Sequence, residues 1–265
     1  MDFSQLNDRL EVAKKIAVNA GNSILKNNNV KRIVDTKSNE TDFVTQFDVN
    51  VQREIIQDIS HYFPEDLFVA EEEGKDNEPV KDNVWIIDPI DGTLNFVHKL
   101  PLYCVSIAFF EGKEPLLGVI YWPGARLLFY AAKNMGAFLN ENKITVSKND
   151  QLKNSLVTFG TSSRTAMDLT SALHDKVQRI RMIGTAALQA VFVGAGFSEA
   201  FISVEMNIWD IAAAYVIVKE AGGIVTNWNG EEIDVFDTKK MIFSNAYVYR
   251  EISKLIKDID IKPGY

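Results

Sequence analysis

The sequence predicts an α+β protein, and three observations carry that prediction. Near the N-terminus, Phe3, Leu6, Leu10, Ala13, Ala17, Ala20 and Ile24 recur at helical spacing and mark a long amphipathic helix. Between Tyr103 and Leu139, short apolar runs alternate with polar turns, the pattern of an antiparallel meander. From about Leu152 onward, strand-like and helix-like runs take turns, which argues a mixed sheet covered by helices.

Taken in order, Ser4 to Lys26 forms the first helix, and Asn27-Asn28-Asn29 ends it. Val30 to Val34 reads as a strand and Asp35 to Glu40 as a polar, exposed loop. Asp42-Phe43-Val44-Thr45-Gln46-Phe47-Asp48 leads into a second helix with Val51, Ile55 and Ile59 on one face, and Asp48 is placed to cap it. Pro64 helps to break that helix. Leu67 to Ala70 is a short strand running straight into Glu71-Glu72-Glu73-Gly74, with a polar loop from Lys75 to Asp82. Val84 to Ile87 is a buried strand. Strands follow over Tyr103 to Phe110, Leu116 to Trp122, Leu127 to Ala132 and Gly136 to Leu139, the first two joined by an Glu111-Gly112-Lys113 turn. The second half reads as strand Leu156 to Thr158, helix Thr165 to His174, strand Ile180 to Ile183 and helix Ala186 to Gly194. Strand Glu199 to Ser203, helix Ile208 to Ala221, strand Gly223 to Thr226 and helix Tyr247 to Ile256 complete it.

A chain of 265 residues suits one compact unit, with an N-terminal half over residues 1–150 and a C-terminal half over 151–265. Its 46% hydrophobic and 24% charged residues are ordinary for a globular protein. A net charge of −8 and the lack of a basic, aromatic-laced cluster argue against nucleic acid as a partner. No apolar run approaches the ~20 residues of a membrane span, and no signal peptide opens the chain. The lone Cys104 excludes an intramolecular disulfide and fits a reducing compartment, so a cytoplasmic protein is expected.

The chemistry concentrates in Trp85-Ile86-Ile87-Asp88-Pro89-Ile90-Asp91-Gly92-Thr93. A buried strand delivers Asp88 and Asp91 at its tip, Pro89 stops the strand, and Gly92-Thr93 opens a helix. Free N–H groups at such a helix start suit a phosphate, and paired carboxylates suit a hard divalent cation. By itself Asp88-Pro89-Ile90-Asp91-Gly92-Thr93 could also be two acids capping a helix, the lesser reading of the two. Glu71 repeats the design, an acid at the end of an apolar strand, although a run of carboxylates is usually a solvated turn. Gly184-Thr185-Ala186-Ala187 opens a helix with a second set of free N–H groups. Asp210 after Trp209 starts another, where an acid is favoured by the helix dipole in any case. His61, His98 and His174 lack metal-ligand spacing, and no nucleophile elbow, phosphate loop or dinucleotide fingerprint is present.

Together, Glu71-Glu72, the Trp85 to Thr93 block and Trp209-Asp210-Ile211-Ala212-Ala213-Ala214 resemble the inositol monophosphatase family of lithium-sensitive, magnesium-dependent phosphatases. The segments Asp42 to Asp48, Gly184 to Ala187 and Glu220-Ala221-Gly222-Gly223 fall in the family's order, so the likeness spans nearly the whole chain. It implies a layered α-β-α-β-α sandwich and two to three Mg²⁺ ions. Glu71, Asp88 and the Ile90 carbonyl would hold one ion, and Asp88, Asp91 and Asp210 a second, with a third near Glu71. It further implies that Glu71 and Thr93, the latter bonded to Asp48, activate a water, and that the N–H groups of Gly92 and Thr93 bind the phosphate. Asp91, Ala186 and Glu205 would touch the substrate's alcohol, and Lys37 would lie in the loop beside the third metal. A homodimer, Li⁺ inhibition and hydrolysis of inositol monophosphate are the family's expectations.

One departure bears on the substrate. Only Met206-Asn207-Ile208 separate Glu205 from Trp209, fewer residues than inositol-phosphate specialists carry. A shorter loop leaves room for NADP 2′-phosphate, fructose 1,6-bisphosphate or 3′-phosphoadenosine 5′-phosphate. A regulatory protein with a secondary phosphatase site is a further alternative, weakened by the presence of all four acids.

Overall fold

A computed structural model describes residues 1–26, 34–36, 43–73, 83–160, 163–236 and 240–259. In chain order the elements are α1 (Phe3–Lys26), β1 (Val34–Thr36), β2 (Phe43–Thr45), α2 (Gln46–Tyr62), β3 (Leu67–Ala70), β4 (Asn83–Asp91) and α3 (Thr93–Val97). The meander follows as β5 (Cys104–Glu111), β6 (Glu114–Trp122), β7 (Leu127–Ala132), β8 (Gly136–Leu139) and β9 (Asn142–Ile144). The remainder is β10 (Leu156–Gly160), α4 (Ser163–Leu173), β11 (Arg179–Arg181), α5 (Ala186–Gly194), β12 (Ala200–Val204), α6 (Ile208–Glu220), β13 (Ile224–Asn227), β14 (Lys240–Ser244) and α7 (Tyr249–Ile256).

Strands β3 to β9 form one sheet in sequential order, and β11-β10-β12-β14-β13 form a second. Period-two alternation decides which layer each strand face meets. Trp85, Ile87, Val105, Ile107 and Phe109 pack with the apolar stripes of α1 and α2. Their neighbours Val84, Ile86, Cys104, Ala108 and Phe110 pack on the opposite face with α5 and α6. In the second sheet Phe201 and Phe243 join that same central core, while Ile202 and Ile242 turn outward to α4 and α7. The result is five layers, α-β-α-β-α. Being sandwiched between sheets explains why α6 is buried from Ile208 to Val218 with only Asp210 partly accessible among them.

Gly118 sets how closely α6 approaches the first sheet. A Cβ there would lie 2.2 Å from the Ala213 carbonyl oxygen, so only glycine permits this spacing.

Several sequence expectations shift. Val34, the last residue of the strand expected at Val30 to Val34, opens β1 (Val34–Thr36), with residues 30–33 outside the described residues, so Asp35 and Thr36 belong to a strand and not to a loop. Three strands went unforeseen, β2, β9 and β14, and β14 lies antiparallel between β12 and β13. Helix α2 starts at Gln46, which places Asp48 inside its first turn and not at its cap. Lys37 lies outside the described residues, as does Asp42.

Candidate active site

Parallel pairing explains how two distant acids meet. Strands β3 and β4 run side by side with Ala70 opposite Ile87, so the next residues, Glu71 and Asp88, emerge at the same sheet edge. A second device brings in Asp91. On a regular strand, residues three apart point to opposite faces. Between Asp88 and Asp91 the register against β5 slips by one residue, from Asp88 opposite Ser106 to Asp91 opposite Cys104. That bulge, at a proline with no N–H to give to the ladder, re-aims Asp91 toward the side of Asp88. Asp210 arrives from the other half of the chain. Ser106 on β5 donates to the Trp209 carbonyl at 3.3 Å, tying the start of α6 to the β4–β5 edge.

The outcome is a compact group: Asp88, Asp91 and Asp210 each offer a carboxylate oxygen within 4.8 Å of the others. Every carboxylate is also held from behind. The Ile90 N–H donates to Asp88 Oδ1 at 2.9 Å. Asp91 accepts from Ala186 N–H at 3.2 Å and Ala187 N–H at 2.7 Å, and Cys104 Sγ lies 3.7 Å from its Oδ2. Asp210 Oδ2 accepts the Asn207 N–H at 2.7 Å, so this residue both caps its own helix and joins the group. Beside them Thr93 opens α3 after Gly92, whose φ of +94° is left-handed. Thr93 Oγ1 is 3.1 Å from both Asp48 Oδ1 and the Ile90 carbonyl oxygen, one proton shared between two acceptors.

Electrostatics mark the group as short of positive charge. Burial pushes the Asp88 carboxyl well above the usual carboxylate range, and the charges of Glu71, Asp91 and Asp210 push it further. Glu71 is close enough to share a hydrogen bond with Asp88. Burial also raises Asp91, to about 7, against the two α5 N–H groups that favour its ionised form. Clustered carboxylates that resist ionising without a counter-charge fit an oxygen-ligated divalent cation, which offsets the repulsion directly.

The structure therefore gathers Glu71, Asp88, Ile90, Asp91, Gly92, Thr93, Asp48, Ala186 and Asp210 around one strand edge. One sequence expectation changes in detail: the N–H groups at the start of α5 are not left open, because Asp91 takes those of Ala186 and Ala187. Glu205, exposed, precedes α6 with a left-handed φ of +56°. Two supporting residues escaped the sequence reading. Gln52 is buried on α2 and its Oε1 accepts the Glu72 N–H at 2.8 Å, steadying the turn that carries Glu71. A polar residue inside the Val51, Ile55, Ile59 stripe was the available signal. Cys104 had none.

A layered α+β fold with carboxylates converging beside a helix start defines a metal-dependent phosphoester hydrolase. A statistical model of the Inositol monophosphatase family matches residues 5–261, and the chain belongs to that family of phosphatases. It is 37% identical over 252 residues to the Thermotoga maritima protein named "Fructose-1,6-bisphosphatase/inositol-1-monophosphatase", covering 95% of this chain and 97% of that one. A solved Thermotoga maritima IMPase superposes with a TM-score of 0.89 at 37% identity, covering 95% and 97% of the two chains. An IMPase/NADP phosphatase solved in complex with Mg²⁺ and phosphate superposes with a TM-score of 0.85 at 26% identity, covering 96% and 97%.

Proposed function

We propose that this enzyme is a Mg²⁺-dependent phosphomonoesterase acting on inositol monophosphate. The observation that carries the reading is the convergence of Asp88, Asp91 and Asp210 within 4.8 Å at the start of α3. Glu71, Asp88 and the second lone pair of the Ile90 carbonyl would hold one Mg²⁺, and Asp88, Asp91 and Asp210 another, with a third near Glu71. When bound, the ions supply Lewis acidity and an acidified water. Glu71 and Thr93 would orient the attacking water and accept its proton, the Thr93 hydroxyl passing its own proton on to Asp48. The N–H groups of Gly92 and Thr93 hold the phosphate as its charge develops. Asp91, Ala186 and Glu205 would face the alcohol; Lys37, outside the described residues, is assigned to the third ion by the family resemblance alone. By the same family reading the enzyme is a cytoplasmic homodimer inhibited by Li⁺ at the second ion's position.

A second reading keeps the chemistry and enlarges the substrate. The three-residue link from Glu205 to Trp209 gives this chain less to wall off the alcohol side with, which leaves room for a larger substrate. The names of two relatives, one joining fructose-1,6-bisphosphatase to inositol-1-monophosphatase and one joining IMPase to NADP phosphatase, support it. Phosphate release, with and without Mg²⁺, from inositol 1-phosphate, fructose 1,6-bisphosphate, NADP and 3′-phosphoadenosine 5′-phosphate separates the two. Fastest turnover of inositol 1-phosphate is expected. Fastest turnover of a larger member would favour the second reading, and no turnover with Mg²⁺ present would sink both.

A further inference from the structure

We propose that Asn95 is a positioning residue that orients the Asp91 carboxylate for metal binding. Its buried side-chain amide donates both hydrogens, one to the Leu102 carbonyl and one to the Ile183 carbonyl, each at 2.7 Å. The orientation of this amide is unambiguous, because a flipped oxygen would face two carbonyl oxygens. Ile183 is gripped from its other side as well, since its N–H donates to Gln189 Oε1 at 3.1 Å. Three residues later the same segment delivers the Ala186 and Ala187 N–H groups to Asp91.

These contacts close a ring. It runs from Asp91 through α3 to Asn95, across to Ile183, along to the start of α5, and back to Asp91. There is little slack in it: Gly184 has a φ of +74°, and a Cβ there would sit 3.0 Å from Asn95 Nδ2. The Leu102 bond secures the far side, two residues before Cys104, the β5 residue opposite Asp91. Because each Asp91 oxygen accepts one α5 N–H, the ring fixes the plane of that carboxylate and the direction in which its remaining lone pairs meet Asp88 and Asp210. Groups that orient a metal ligand in this way typically change metal affinity or activity by about 10–100-fold when removed.

The inference rests on Asp91 being a Mg²⁺ ligand, and the test separates the two claims. Mg²⁺ binding is measured by calorimetry on wild type, Asn95→Ala and Asn95→Ser, alongside the Mg²⁺ concentration that half-saturates phosphate release. Wild type is expected to bind. Asn95→Ala is expected to bind about 10–100-fold more weakly, with kcat largely recovered at high Mg²⁺, and Asn95→Ser, which keeps a single donor, to fall between. Asn245→Ala is the stability control: this buried asparagine donates to the Asn149 carbonyl at 3.0 Å, outside the ring. It should lower the melting temperature and leave Mg²⁺ binding unchanged. If the Asn95 variants lose stability but bind Mg²⁺ within about twofold of wild type, Asn95 is structural only and the inference is overturned. If Asn95→Ala does not fold, Asn95→Ser alone decides by the same criterion. If wild type itself binds no Mg²⁺, the ligand assignment fails and takes the inference with it.

Discussion

Thr93 has one hydroxyl proton and two acceptors, Asp48 and the Ile90 carbonyl, both at 3.1 Å. Replacing it with valine preserves shape and removes only the oxygen. If that hydroxyl hands a proton toward the buried Asp48, Thr93→Val should lower kcat by about 10²–10⁴-fold with KM changed little, because the contact matters in the transition state and not in binding. Steady-state rates on the preferred substrate check this, and a KM-dominated loss would recast Thr93 as a binding residue. Thr93, Asp88 and Asp91 were legible in the sequence because their motif is local and punctuated by Pro89 and Gly92, and Asp210 only because Trp209-Asp210 completes the family's set of motifs. Gln52, Asn95 and Cys104 were not. Gln52 showed only as a polar residue in an apolar stripe, and which backbone groups it and Asn95 would find, 20 and 88 residues away, is not encoded in spacing or composition; Cys104's contact with Asp91 had no signal at all.

At the scale of elements, the site depends on where strands and helices end. The parallel β3–β4 pair and the bulge between Asp88 and Asp91 place three acids on one edge, and α6 must then seat Asp210 against them. The spacing of α6 is set by Gly118, where an added Cβ meets helix backbone, not a side chain that could swing away. Gly118→Ala should therefore cost about 1–3 kcal/mol in overpacking, roughly 2–4 °C of Tm per kcal/mol for a chain of this size. It should also weaken Mg²⁺ binding, because displaced α6 carries Asp210. Thermal melts with and without Mg²⁺ test both parts, and an unchanged Tm would mean that the sheet yields and the helix does not. Periodicity made α1 and the meander readable, since each shows a clean apolar face. It could not find β14: Met241-Ile242-Phe243 is apolar on both faces, and so short a run carries no period to distinguish strand from helix. The middle strand of an interleaved order such as β12-β14-β13 is a tertiary outcome.

For the whole molecule, the carboxylate group makes stability depend on pH and metal together. Asp91 is held at about 7 when folded, against 3.8 for the free side chain, chiefly by burial. Between those values the folded protein binds more protons than the unfolded chain, so its stability is fully present at the acid side and falls as pH rises toward 7. Asp88, also raised, adds in the same direction. Metal-free enzyme should then melt at a lower temperature at about pH 8 than at about pH 5.5, once other titrations are matched with an Asp91→Asn variant that cannot ionise. Mg²⁺ reverses the trend, because it binds the ionised carboxylates and competes with their protons. At a hundredfold excess over its dissociation constant it should contribute about 2.7 kcal/mol, and the gain in Tm should be larger at about pH 8 than at about pH 5.5. Melting curves across that range, with chelator and with Mg²⁺, measure both slopes. A metal-free Tm that climbs with pH in wild type but not in Asp91→Asn would show Asp91 ionising easily in the folded state. The group would then not be a strained cluster awaiting a cation, and the architecture that crowds Asp88, Asp91 and Asp210 together would need a different purpose.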